Sequence, residues 1–180
     1  MNLPLCINSQ NLLAKPIQTA DAEVVFHSWS GDTQVAKYLV WRNHSSIDET
    51  KKYIQGCIEK YRAGVESTYI AWSKNETQAL GCISLRPKDH MVEVGYLVRR
   101  SHWGRGLCTE LLRATMQQIF TSTCYLRIWA HCDIDNKASA RVMEKSGMHL
   151  EGTLRCWAIH PNISSIPRDV LVYSRLAHEK

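Results

Sequence analysis

Two glycines one residue apart, Gly104 and Gly106, sit in the stretch Trp103-Gly104-Arg105-Gly106-Leu107-Cys108, between a β-like run and an amphipathic run. A strand that passes through glycines into a helix start can hold an anion: the first helical N–H groups lack partners, the helix dipole adds positive potential, and glycine admits close backbone approach. The same spelling also suits a plain turn with no ligand. A dinucleotide fingerprint would need a third glycine at Thr109, and a P-loop would need Gly-Lys-Ser/Thr after a four-residue gap; neither is present. Seven widely spaced cysteines with no Cys-x-x-Cys pair argue against a disulfide framework, and His131-Cys132-Asp133 lacks a second cluster to complete a metal site. No metal is expected, and a reducing cytosol suits this cysteine usage best.

The elements that must carry this turn follow from periodicity. Asn11–Ile17 is predicted to be an edge strand because of Pro16, and Thr19 to cap a helix from Ala20. Ser46 with Glu49 forms a capping box for a helix from Ile47 to about Ala63. Short β-rich runs at Thr68–Ser73 and Leu80–Leu85 flank a hairpin loop. Val92–Val98 is a strand in which Gly95 marks a bulge or a close approach. A helix from about Gly106 to Phe120, a strand over Cys124–Ala130, a helix over Asn136–Lys145 stopped by Gly147, and closing strands at His149–Leu154 and Asp169–Leu176 complete the order. This order predicts an α+β domain, mostly antiparallel, with one β-α-β crossover that begins at the glycine turn.

The 180 residues show no repeat, linker or low-complexity segment, so residues 1–180 read as one domain. The net charge of +5 is spread along the chain, which permits an anionic ligand without demanding nucleic acid. The N-terminus lacks the pattern of a secretory signal, and no run approaches the roughly 18 apolar residues of a membrane span. No nucleic-acid or membrane partner is expected, and the reading is cytoplasmic.

At this point the chain resembles the GNAT superfamily of acyl-CoA-dependent N-acetyltransferases, whose signature Gln/Arg-x-x-Gly-x-Gly/Ala opens a central helix. Trp103 and Cys108 depart from that signature. The RimJ/RimL branch, the ribosomal-protein N-terminal acetyltransferases, commonly writes the turn Trp-Gly-x-Gly. Further segments match that branch in order: Glu93-Val94-Gly95-Tyr96, Asn136 to Ser139, Glu144 to Met148, Glu151 to Arg155, and the last strand, RDVLVYSRL. The likeness covers about Asn11 to Leu176. It implies a GNAT fold, a mostly antiparallel mixed sheet of about seven strands flanked by about four helices, and dimers occur among its members.

The resemblance also implies roles. The pyrophosphate of CoA would rest on the backbone of Gly104, Arg105, Gly106, Leu107, Cys108 and Thr109, with the Arg105 side chain as an added contact. The strand would splay from its neighbour at a bulge. Main-chain groups of Tyr96, Leu97 and Val98 would hold the pantetheine arm there, with an N–H near Val98 on the thioester oxygen. Asn136 would bond the same arm. Many relatives place a donor tyrosine where this chain has Met143; the branch serine, Ser139, is the expected acid for the leaving thiolate. Glu93 is the candidate base, and Tyr38, Trp41 and Trp157 would line the acceptor side. Ala158 stands near a glutamate that some ribosomal members carry, and His160 is a substitute for it. The expected reaction moves acetyl from acetyl-CoA to a primary amine, a protein N-terminus first and a small amine second, by direct attack. An α-amine, with a pKa of about 8 against about 10.4 for lysine, needs little help to lose its proton. A non-catalytic acyl-CoA-binding protein is the remaining alternative.

Overall fold

The computed structural model describes residues 3–75 and 77–179. In chain order these form β1 (Ile7–Asn8), β2 (Leu12–Pro16), a 3-10 turn (Thr19–Asp21), α1 (Ala22–Val25), a π turn (Phe26–Ser30), α2 (Thr33–Ala36), α3 (Ile47–Arg62), β3 (Ser67–Ser73), β4 (Ala79–Lys88), β5 (Met91–Val98), a 3-10 turn (Arg100–His102), α4 (Leu107–Ser122), β6 (Arg127–Asp133), α5 (Lys137–Lys145), β7 (His149–Ala158) and β8 (Arg168–Leu176). The strands make one eight-stranded sheet in the order β1-β2-β3-β4-β5-β6-β8-β7. Each neighbouring pair is antiparallel except β5 and β6, which the crossover helix α4 joins in parallel.

Alternation along the strands feeds two cores. Tyr69, Ala71, Ile83 and Leu85 pack with Leu111, Leu112, Met116 and Ile119 of α4 on one face. Their neighbours Ile70 and Cys82 pack with Val25, Trp29, Ile54 and Cys57 on the other. A strand covered on both faces must be apolar at successive positions, as TYIAW is.

Several expectations are corrected. The two-residue β1 lies outside β2, so the sheet has eight strands rather than seven; β1 pairs only with Leu13 and Ala14, which leaves Pro16 beyond its reach. The Thr19 cap is displaced: Asp21 accepts from the Gln18 N–H at 2.7 Å, and the expected helix is broken into a 3-10 turn, α1 and a π turn. The capping box is shifted by one residue, since Ser46 accepts from the Glu49 N–H while Glu49 accepts from Ser45. β6 starts three residues later than expected and runs through the polar His131-Cys132-Asp133. β7 runs four residues beyond Leu154 and carries bulges after Leu150 and Leu154.

Gly95 carries no bulge, because β4 and β5 keep one register throughout. The glycine instead leaves room for the Arg86 guanidinium, 3.6 Å from where a Cβ would stand. The splay has another origin. β5 and β6 pair only from Met91↔Arg127 to Glu93↔Trp129, after which β5 stays with β4 and β6 stays with β8. A wedge therefore opens in mid-sheet beyond Glu93.

Candidate active site

The wedge is lined by backbone whose direction can be read from one hydrogen bond. The Arg99 N–H donates to Leu80 O at 2.9 Å, so in this antiparallel pair Arg99, Leu97 and Gly95 turn their main-chain groups toward β4. A Cβ on Gly81 would meet Leu97 O at 2.3 Å, which places that carbonyl on the β4 side as well and requires glycine there. Tyr96 and Val98 thus face the wedge with their main chain. The expected main-chain role of Leu97 is corrected: only its side chain is available to the clefts.

Val98 O is already taken. Trp103 Nε1 donates to it at 2.8 Å, stapling the glycine turn onto the end of β5. Behind the staple, Gly104 and Gly106 have φ of 76° and 78°, a region that favours glycine, and a Cβ on either would meet no heavy atom within 4 Å. Gly106 caps α4, and Glu110 is the first helical residue to donate to it, at 3.0 Å. The N–H groups of Leu107, Cys108 and Thr109 thereby remain free of intrahelical partners at the positive end of a 16-residue helix. Arg105 is exposed and stands outside the cleft lining. Burial pushes the Cys108 thiol up to about 12, which keeps it protonated.

Two cavities meet at the wedge. One, of about 570 Å³, is lined by the glycine turn, the first turn of α4, Val98 and α5. The other, of about 600 Å³, is lined by Tyr38, Trp41, Tyr53, Arg86, Glu93, His131 and His160. Tyr38, Leu39, Tyr96, Leu97, Asn136 and Ser139 line both. Asn136 caps α5 by accepting from the Ser139 N–H at 3.2 Å. The Ser139 hydroxyl lies 2.9 Å from the Tyr96 hydroxyl, which also reaches Ser139 O at 3.1 Å. Burial raises the Tyr96 phenol, opposed by its bond to Ser139. A pair of linked, protonated hydroxyls thus stands at the junction. The sequence placed Tyr96 there only for its main chain, and its hydroxyl carried no signal. Met143 is fully buried in the core.

The second cavity is built from distant segments. Trp41, His44 and Tyr53 form an aromatic cluster with ring centroids 5.1–5.7 Å apart. Asn162 ties this wall down: its amide donates to Ala36 O and Trp41 O, each at 2.7 Å, and its carbonyl accepts from the Asn43 N–H at 3.2 Å. Trp157 is exposed on β7 and does not line the cavity, which corrects its expected place. Arg86 bridges Glu66 at 3.2 Å and Glu93 at 3.3 Å, and Lys60 also pairs with Glu66 at 3.0 Å. Glu93 Oε1 is 3.7 Å from His131 Nδ1. His160 is 2% exposed, with Nε2 3.6 Å from Asp133 Oδ2. Burial would raise the Asp133 carboxyl, but the Arg168 guanidinium and the Asp135 N–H hold it below the usual range.

The acetyltransferase (GNAT) domain matches residues 11–149. YkkB of Bacillus subtilis, an uncharacterised protein, is 37% identical over 161 residues, covering 87% of this chain and 92% of its own. The ribosomal-protein-serine acetyltransferase of Escherichia coli is 28% identical over 113 residues, covering 61% of this chain and 62% of its own. The solved structure of RimL, a ribosomal L7/L12 alpha-N-protein acetyltransferase in complex with CoA, superposes with a TM-score of 0.84 at 21% identity, over 95% of this chain and 97% of that one, and so shares the fold. The wedge, the glycine turn at a helix start and these matches lead to one conclusion: the chain belongs to the GNAT family of acyl-CoA-dependent N-acetyltransferases.

Proposed function

We propose that the protein transfers the acetyl group of acetyl-CoA to a primary amine, with a protein N-terminal α-amine as the acceptor. The observation that carries this reading is the junction of two cavities at Ser139 and Asn136. Acetyl-CoA fits the first cavity: the glycine turn and the α4 N-terminus suit its pyrophosphate, and the wedge suits its pantetheine arm. The Tyr96 main chain and the Val98 N–H are available to that arm and to the thioester oxygen, where a fixed donor stabilises the developing oxyanion. The amine enters from the second cavity and attacks the carbonyl directly. As the C–S bond breaks, the sulfur gains a proton through the Ser139–Tyr96 hydroxyl pair. Glu93 provides the carboxylate on the side from which the amine comes.

Charge supports this choice of acceptor over a polyamine. Glu66 and Glu93 are both held by Arg86, and Glu66 by Lys60 as well, so the cavity presents no pair of unengaged carboxylates for the second ammonium of a polyamine. An amine of pKa about 8 also matches a site without a strongly basic group. The names of the ribosomal relatives point the same way. The test is a panel of peptides differing at the N-terminal residue, set beside spermidine and an amino sugar, with CoA release followed and the acetyl group located by mass spectrometry. Acetylation of peptide α-amines is expected. Exclusive turnover of the small amines would replace this acceptor, and CoA binding without turnover would make the protein an acyl-CoA-binding one.

A further inference from the structure

We propose that His131 takes the proton from the acceptor amine through its Nε2, with Glu93 as the positioning carboxylate on its Nδ1. The proposal rests on the acetyl-transfer reading above and names the atom that does the proton work on the amine side. His131 stands on β6 two residues beyond Trp129, the last rung of the β5–β6 pairing, so its ring sits at the mouth of the wedge. It lines the second cavity together with Ser139. Its Nδ1 is buried without a hydrogen-bond partner, 3.7 Å from Glu93 Oε1. That spacing becomes a bond with a small shift of either side chain. The ring stacks on Trp129 at 5.9 Å with an interplanar angle of 29°, which limits its rotation.

A carboxylate on one ring nitrogen fixes the tautomer that leaves the other nitrogen bare, and a bare nitrogen can accept a proton. Glu93 is a poorer acceptor for the amine because Arg86 holds the same oxygen at 3.3 Å. His160 is a poorer one because both of its ring nitrogens are sealed from solvent. The charged and titratable groups facing His131 are Glu93 from β5, Arg86 from β4 and His160 from the loop after β7. Burial lowers the His131 imidazolium below its ordinary value, Glu93 raises it, and His160 and Arg86 lower it further. The net shift favours the neutral ring, the form a base needs.

The proton count closes. The entering ammonium gives one proton to Nε2, and the freed lone pair forms the C–N bond. As the C–S bond breaks, the nitrogen's second proton passes to the Ser139–Tyr96 pair, which delivers one proton to the sulfur and is left unchanged. His131 then returns its proton to solvent.

Histidine ring ¹⁵N shifts of the CoA-saturated protein test the arrangement without any acceptor. At pH 7 a single proton on Nδ1 is expected for His131, and a proton on Nε2 overturns the proposal. In Glu93→Gln the ring should titrate at lower pH, since the carboxylate favours the imidazolium; an unmoved midpoint removes Glu93 from the role. With any amine the wild type acetylates, His131→Gln and His131→Asn should each lower kcat about 100-fold and abolish the acid limb of its pH profile. Unchanged CoA affinity in both variants shows that the fold is kept. A retained limb overturns the proposal. Absence of wild-type turnover with every amine would refute the acetyl-transfer reading instead, and the ring's tautomer and titration would still decide the dyad.

Discussion

The two cavities that meet at Ser139 are made of different material. The first presents main chain along one side: a glycine turn, the free N–H groups of one helix start, and the edge of β5 beyond its pairing with β6. The second is made of side chains from separated segments: Trp41 before α3, Arg86 on β4, Glu93 on β5, His131 on β6 and His160 after β7. Backbone recognition depends on local conformation and tolerates side-chain change, which is why Trp103 and Cys108 can replace the usual residues of the turn. A side-chain cavity depends on which distant residues are brought together. The first region thus suits a co-substrate shared by a whole family, and the second an acceptor that differs among its members.

The comparison breaks most sharply at the junction. Tyr96→Phe and Ser139→Ala should each lower turnover about 100-fold with CoA affinity unchanged, and the double variant should cost little more than either, because two linked hydroxyls act as a unit. Additive losses in a steady-state cycle would separate them. Gly106→Val should weaken CoA binding about 5–30-fold, from the roughly 1–2 kcal/mol cost of a side chain in the left-handed region. Calorimetry checks this, with circular dichroism to confirm the fold; an unchanged affinity would place the pyrophosphate elsewhere. Trp103→Phe keeps the bulk and removes the bond to Val98 O, worth about 1 kcal/mol, so CoA should bind about five-fold more weakly.

Asn162→Ala addresses the other region. It frees the carbonyls of Ala36 and Trp41, so the KM for the amine should rise a few-fold while CoA affinity holds. A change in CoA affinity alone would mean that the two cavities are not separable. The smallest effect lies away from both. Arg127, opposed by burial and helped by Ser174, holds the Glu151 carboxyl at about 2. A depressed carboxyl contributes stability above its unfolded value, and that contribution is lost as pH falls toward 2. Glu151→Gln should therefore be modestly less stable than the wild type at pH 7, and the difference should shrink as pH falls toward 2. An equal difference at pH 7 and near pH 2 would show that the charge of Glu151 contributes nothing.

The same division decides how legible the protein was. The strand, glycine turn and helix of the crossover stand in the sequence within one continuous stretch, where periodicity and two glycines suffice. The Ser46 cap of α3 was also readable, since capping is local to three or four residues. Other features left weaker signals. The two-residue β1 is shorter than any periodic pattern, and the segment after Pro16 changes helical type within a dozen residues. His160, next to Pro161, reads as a loop residue; burial beside Asp133 depends on β8 lying between β6 and β7.

By itself, the sequence determined the family, the α+β order with one parallel crossover, and the glycine turn, because each is set by neighbours along the chain. Only the tertiary structure decided that β5 and β6 part after Glu93, that Trp103 is bound to Val98, that Tyr96 touches Ser139, and that His131 faces Glu93. Apart from the bond between Trp103 and Val98, five residues apart, those contacts join residues far apart in sequence. Their existence depends on strand register and sheet order, which local propensity does not encode.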